Sequence, residues 1–151
     1  MLPFFFYLFR RNAIDTVPKS TVYYRNNKEK IHAQQNAVKR TLSGKLTNLI
    51  TTSRYRAKLQ NREHNIDTKY LRAIYEQQKG LCAISGIQME VRGKGCASEA
   101  PYSISLDRID SDKGYIEGNV WLVCTSINLM KSRLSMQDFI MLCSKVAERF
   151  L

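Results

Sequence analysis

The chain has 151 residues, with 24 Lys and Arg against 13 Asp and Glu, for a formal net charge of +11 at pH 7. That length suits one domain, or a small domain with an appendage, and no run of residues is apolar and long enough to cross a bilayer. The four cysteines (Cys82, Cys96, Cys124 and Cys143) form no C-x-x-C pair, which argues against a disulfide-dense secreted scaffold and suits a reducing compartment.

The first segment, Leu2 to Phe9, is apolar but has neither a charged lead-in nor a small-residue cleavage site, and Arg10 and Arg11 follow it. It reads as a segment packing on its own protein, or as a mis-called start, rather than as a signal peptide, with an organelle transit peptide as a further reading. The basic charge lies mostly in the first part of the chain. Residues 1–60 hold twelve basic groups and two acids, Asp15 and Glu29, whereas residues 61–151 hold twelve and eleven. The expected organisation is therefore a basic, mainly helical arm over 1–60 and a nearly neutral unit over 61–151. A net of +10 on the arm points to a polyanionic partner, most commonly nucleic acid. A solvated helical surface is the plainer account of the same charge.

Residues 10–27, with Pro18 and the Asn26-Asn27 pair, predict irregular structure. From Lys28 to about Gln60 the pattern is helical, with Val38, Leu42, Leu46, Leu49 and Ile50 at three- and four-residue steps and a break expected at Ser43-Gly44. Arg54, Arg56 and Lys58 decorate its polar side, where they can lie along phosphates. A helix follows over Thr68 to Lys79, capped by Asp67 or Thr68 and closed by Gly80. Ser85-Gly86 predicts a tight turn between two short extended pieces, and 92–101 a loop. Strands are predicted over Ser103 to Ile109 and Asn119 to Cys124. A helix capped by Thr125 or Ser126 then runs to about Ser132. The last helix starts at Ser135, with Asp138 completing a capping box. Met136, Phe139, Ile140, Cys143, Val146, Ala147 and Phe150 form its expected buried stripe.

The chemistry concentrates in residues 106–131. A divalent cation with hard oxygen ligands keeps several waters, so one carboxylate and one amide oxygen from the protein suffice to hold it. Asp107 ends the first strand, and Asn128 stands 21 residues later in the first turn of the following helix. A hairpin between them would fold that helix back across the first strand.

This run resembles the HNH endonucleases (the His-Me finger, or ββα-metal, fold), and within them the phage and bacterial members with D-R-I-D, K-G-Y, G-N-V and N-x-x-K pieces. Here these are Asp107 to Asp110, Lys113 to Tyr115, Gly118 to Val120 and Asn128 to Lys131. Arg56-Ala57-Lys58 and Gly80 to Gly86 extend the likeness, which covers roughly residues 50–145. The resemblance implies an α+β fold: a small ββα-metal core with flanking helices and the basic N-terminal arm. It implies a metal-dependent endonuclease or nickase acting on DNA, using one divalent ion (magnesium, or alternatively manganese), in the cytoplasm of a bacterium or phage-infected host. No membrane partner is expected.

Carried over by position, Asp107 and Asn128 would be the metal ligands, and Asn119 would hold the loop and orient residue 108. Position 108, His in the standard form, would be the general base. Here it is Arg108, whose guanidinium has no acceptor lone pair. The role left to Arg108 is to clamp the phosphate, with Asp110 or His64 as alternative bases. The competing reading is a catalytically impaired HNH-fold DNA-binding protein. Lys113, Lys131 and Arg133 are expected to touch phosphates near the cut. Position 85 is Ser and position 127 is Ile, where a second cysteine would complete each C-x-x-C pair, so no structural zinc is expected. Cys82 and Cys124 then read as buried small hydrophobes.

Overall fold

A computed structural model describes residues 19–39, 41–91 and 100–151. The apolar segment Leu2–Phe9 and the loop residues 92–99, Cys96 among them, lie outside the described residues. In chain order the elements are α1 (Lys19–Lys39), α2 (Leu42–Leu59), α3 (Thr68–Gln77), β1 (Ile104–Arg108), β2 (Val120–Cys124), α4 (Thr125–Lys131) and α5 (Met136–Phe150). Among the described residues this is an α+β fold around one two-stranded antiparallel sheet.

α1 begins at Lys19, earlier than the periodicity predicts, and passes through Asn26 and Asn27. The Asn27 side chain donates to the Tyr23 carbonyl one turn back (3.0 Å), so the amide that would favour a turn is held inside the helix. The break between α1 and α2 falls before Leu42, not at Ser43-Gly44. Thr41 has extended backbone, and its Oγ1 accepts the Gly44 N–H at 3.1 Å, so Gly44 lies in the first turn of α2.

The chain divides between Gln35 and Asn36 into two compact units. A boundary at residue 60, where the charge changes, would cut through the second unit's core. Leu46, Ile50 and Ala57 of α2 are buried with Leu71 of α3 and with Ile104, Leu106, Leu122 and Val123 of the sheet. Arg54, Arg56 and Lys58 of α2 are exposed, whereas Lys45 is half-buried and donates to Ser103 Oγ (2.9 Å), so a basic helix is also a core helix.

β1 and β2 pair in register, with Leu106 opposite Leu122 and Asp107 opposite Trp121. Alternation sends Ile104, Leu106 and Arg108 to one face of β1, and Ser105 and Asp107 to the other. The free edge of β2 is closed by Gln78 just past α3. Its Nε2 donates to the Leu122 carbonyl (2.8 Å) and its Oε1 accepts the Leu122 N–H (3.0 Å).

α4 starts directly after β2 at Cys124, with no side-chain cap. The expected caps are used elsewhere: Thr125 Oγ1 donates to the Ser103 carbonyl (2.9 Å) and Ser126 Oγ to that of Pro101 (3.0 Å). These bonds pin the start of α4 beside β1. Ser135 does cap α5, accepting the Asp138 N–H at 3.1 Å. The buried stripe expected along α5 is not formed. Within the helix only Phe139 is buried, and Ile140, Val146 and Phe150 are 58 %, 61 % and 82 % exposed. No helix among the described residues is long and apolar enough to cross a membrane.

Candidate active site

The β1–β2–α4 hairpin brings together the side chains that the spacing of residues 106–131 singled out. Asn128 lies one turn into α4, and its Nδ2 donates to Ser105 Oγ (2.7 Å) and to the Leu106 carbonyl (3.1 Å). Lys131, three residues further and on the same helix face, ion-pairs with Asp107 Oδ2 at 3.1 Å and donates to the Arg108 carbonyl at 3.3 Å. Trp121, opposite Asp107 across the sheet, donates its indole N–H to the same Oδ2 at 2.9 Å. Asp107, Asn128 and Lys131 thus share the α4 side of β1.

Lys131 was expected as a surface cation at a phosphate. The structure corrects this: its side chain is 0 % exposed and that of Asp107 is 8 % exposed. The reason is helical spacing. Turning Asn128 toward β1 turns residue 131 the same way, and a buried ammonium persists there because a carboxylate and a carbonyl receive it.

These donors fit a hard cation with a partial water shell. Among the described residues, every buried side-chain nitrogen and oxygen has a hydrogen-bond partner. The contacts of Asp107 fall on Oδ2 and those of Asn128 on Nδ2. Among the described residues their Oδ1 atoms have no hydrogen-bond partner, and neither is wholly buried. One carboxylate oxygen and one amide oxygen, from a strand end and a facing helix, are the minimum for magnesium. The described residues hold no group of three or more His, Cys, Asp or Glu side chains that could bind a metal, so water would complete such a shell.

The other side of β1 is organised by main-chain carbonyls. Asn119 is buried and ties the turn after β1. Its Oδ1 accepts the Asp110 N–H (3.0 Å), and its Nδ2 donates to the carbonyls of Asp110 (3.1 Å) and Gly114 (2.9 Å). Arg108 donates to the Lys113 carbonyl (3.0 Å), and its guanidinium lies 5.2 Å from the centre of the Tyr115 ring. Asp110 acts as a turn residue: Oδ1 accepts the Asp112 N–H (2.9 Å) and Oδ2 pairs with Lys113 (3.3 Å). The Asp112 N–H, followed by Lys113, holds its carboxyl below the usual range, which makes it a weak proton acceptor.

A segment that sequence reasoning left unassigned completes this side. Residues 62–65 run alongside the turn, with the Tyr115 N–H on the Glu63 carbonyl (3.0 Å) and the Asn65 N–H on that of Tyr115 (3.1 Å). The approach is so close that a Cβ on Gly114 would stand 2.1 Å from the Glu63 carbonyl oxygen. Arg62 reaches the Ser111 carbonyl and, at 3.1 Å, that of Lys113. His64 packs near Tyr115, ring centres 6.0 Å apart, and its Nε2 meets Ser53 Oγ at 2.9 Å. The Ser53 hydroxyl also lies within hydrogen-bond distance of the Ile50 carbonyl (3.0 Å), to which it donates. Burial, then the Arg54 charge, lower the His64 pKa against a smaller opposing pull from its own carbonyl, so the ring is neutral at pH 7.

The remaining predicted cations are dispersed. Lys113 and Arg133 are exposed, as are Arg54, Arg56 and Lys58. On the helix, Arg54 and Lys58 flank one side of the buried stripe and Arg56 the other, so the three do not form one phosphate track. Cys82 and Cys124 are buried neighbours, the Cys124 N–H donating to Cys82 Sγ at 3.3 Å. Burial pushes the Cys124 thiol up to about 11. Trp121, Ser105, Arg62 and Gly114 were missed as site residues. Only the pairing of Trp121 with Asp107 was foreseeable, from strand register.

Strand, antiparallel strand, helix, with an acid at the end of the first strand and an amide early in the helix: this is a ββα hairpin. No protein-family model matches the chain. A protein of Enterobacteria phage T4, described as an uncharacterized 29.0 kDa protein in the dda-modA intergenic region, is 32% identical over 84 residues. The match takes in 56% of this chain and 31% of the phage protein, so the chain spans less than a third of that relative. Among solved structures, the rare-cutting HNH restriction endonuclease PacI is similar with a TM-score of 0.46 and 20% identity, over 66% of this chain and 75% of that one.

Proposed function

We propose that this protein is a metal-dependent endonuclease or nickase that hydrolyses DNA phosphodiester bonds at the β1–α4 face. The observation that carries the reading is the pair of Oδ1 atoms on Asp107 and Asn128, neither wholly buried and neither hydrogen-bonded among the described residues, on the α4 side of a ββα hairpin. Asp107 and Asn128 would hold one divalent cation, magnesium or manganese. Such a cation, when bound, supplies neutralisation of the charge that develops on the phosphate and the leaving oxygen.

The chain's own groups set the rest. Lys131 and Trp121 fix one oxygen of Asp107 so that the other faces outward. Ser105 and the Leu106 carbonyl fix the amide of Asn128 in the same way. Asn119 holds the turn that carries Arg108. Arg108 stays charged and cannot accept a proton from water, so it serves as an electrostatic partner for a phosphate. Of the two candidate bases on the turn side of the strand end, His64, whose pKa is lowered chiefly by burial, is a better proton acceptor than Asp110. The basic residues Arg54, Arg56, Lys58, Lys113 and Arg133 supply sequence-independent attraction to the backbone.

Plasmid nicking with magnesium or manganese tests the proposal. The wild type should convert supercoiled to open-circular or linear DNA, and Asp107→Ala and Asn128→Ala should each lose at least about a hundredfold in rate, roughly 3 kcal/mol in barrier. Cleavage that is unaffected by Asp107→Ala would overturn it. Arg108 favours a second reading, a DNA-binding protein that keeps the hairpin without catalysis. Salt-sensitive binding with no metal-dependent cutting by the wild type would establish that alternative.

A further inference from the structure

A cleft of about 770 Å³ opens at the end of β1, between the turn that follows it and the start of α5. Three guanidinium groups from separate parts of the chain line it: Arg62 from the α2–α3 connection, Arg108 from the end of β1, and Arg133 from the α4–α5 connection. Asp110 and Asp112 also line it, but Asp110 is already paired with Lys113. Among the described residues none of the three arginines has a carboxylate within ion-pair distance. Arg62 and Arg108 each spend Nη1 on carbonyls of the turn, which fixes their planes and leaves their other N–H groups uncommitted. Arg133 follows Ser132, a non-glycine residue at φ 49°, where the chain reverses out of α4.

With Asp110 paired to Lys113, three guanidinium groups face one unpaired carboxylate, Asp112, so the cleft keeps a net positive charge that favours an anion. Two of the cations are held by main-chain carbonyls, so the arrangement is pre-organised. Planar forks of N–H donors match the oxygens of a phosphate better than point charges do. The volume falls in the range of small-ligand pockets and exceeds the needs of a lone inorganic anion.

From this we infer that the Arg62–Arg108–Arg133 cleft binds a backbone phosphate of the nucleic-acid strand, together with its sugar, beside the bond to be cut. The inference rests on the nuclease reading for its substrate class. It adds a separate anchoring site at the end of β1, and it gives a role to Arg62. The strand would then cross the end of β1, with one phosphate in the cleft and its neighbour toward Asp107 and Asn128.

The test is fluorescence anisotropy of a short labelled duplex in EDTA, so that binding is read without cutting, over a salt series. Arg133→Ala is the principal variant because Arg133 makes no intramolecular bond that holds the fold. Arg62→Lys, which keeps the charge but loses the fork, is the second. Arg149→Ala, at the exposed end of α5, is the control. Arg133→Ala should weaken binding about three- to tenfold whatever the sequence, and lower the slope of log K against log salt by about one. Arg62→Lys should weaken binding with the slope nearly unchanged, and the control should match wild type. Wild-type affinity and slope in Arg133→Ala would overturn the inference, as would an absence of salt-sensitive binding by the wild type. The two proposals fail separately. Metal-dependent nicking with an unaffected Arg133→Ala slope removes the cleft and leaves the nuclease. A reduced slope without any nicking removes the nuclease and leaves the cleft.

Discussion

The two sides of β1 are held by different means. On the α4 side, a buried ammonium and an indole fix Asp107, and a hydroxyl together with the Leu106 carbonyl fixes Asn128. On the turn side, Arg62, Arg108 and Asn119 are fixed by main-chain carbonyls and amides. The first arrangement depends on charge balance in a place with little water, so single substitutions should be costly. The second depends on backbone approach, so its weak points are the residues that permit close contact. A strand end that presents an acid to one side and a guanidinium to the other can serve two neighbouring phosphates only if both sides stay rigid.

The sharpest way to break the α4 side is Lys131→Met. The methionine fits the apolar volume but leaves the Asp107 charge buried and uncompensated. Removing one partner of a buried pair costs on the order of 3–5 kcal/mol. Urea unfolding followed by circular dichroism should show a loss of that size, and pairing the change with Asp107→Asn should restore part of it. A loss under about 1 kcal/mol would mean that the pair is solvated in solution, against its near-zero exposure here.

On the turn side the corresponding probe is Gly114→Ala. Gly114 is not required by its backbone angle; it is required by space, because the added Cβ would meet the Glu63 carbonyl oxygen at 2.1 Å. Backbone cannot yield as a side-chain tip does, so segment 62–65 must move, at a cost of about 1–3 kcal/mol. The same displacement should carry Arg62 and His64 away from the turn. In hydrogen exchange, the amides of Tyr115 and Asn65, which bond across this contact, should lose protection. Unchanged protection at both would show that the segment tolerates the substitution without moving.

The hairpin was legible in the sequence because alternation and turn chemistry are local. The approach of α4 to β1 was implied by the 21-residue spacing from Asp107 to Asn128. The burial of Lys131 was not. A lysine after an apolar stretch reads as surface, and only the helix phase fixed by Asn128 turns it inward. Segment 62–65 stayed hidden for a different reason. Its contacts with the turn are main-chain bonds, which leave no side-chain pattern, and Gly114 alone hints at them by lacking a Cβ. The stripe of α5 shows the limit of periodicity. Met136 to Phe150 has helical spacing and a correct cap, yet only Phe139 within the helix is buried. An amphipathic pattern states that a face is apolar and does not say what lies against it.

His64 provides the smallest and most specific test, because it touches the turn side through Tyr115 and α2 through Ser53. Burial, then Arg54, lower its pKa in the folded state below the ordinary 6.5. The unfolded chain therefore binds more protons as pH falls through 6.5, and stability must decline from there toward the folded-state pKa. Above 6.5 both states are neutral at this position and the contribution is constant. Melting temperature measured from pH 7.5 to 5 should fall on the acid side, and His64→Gln, which can still donate to Ser53, should flatten part of that fall. Nicking rates across the same range separate structure from chemistry. If His64 accepts the proton from water, the acid limb of the rate profile disappears in His64→Gln along with most of the rate. If the ring only packs on Tyr115, the rate and its acid limb persist while the stability profile changes.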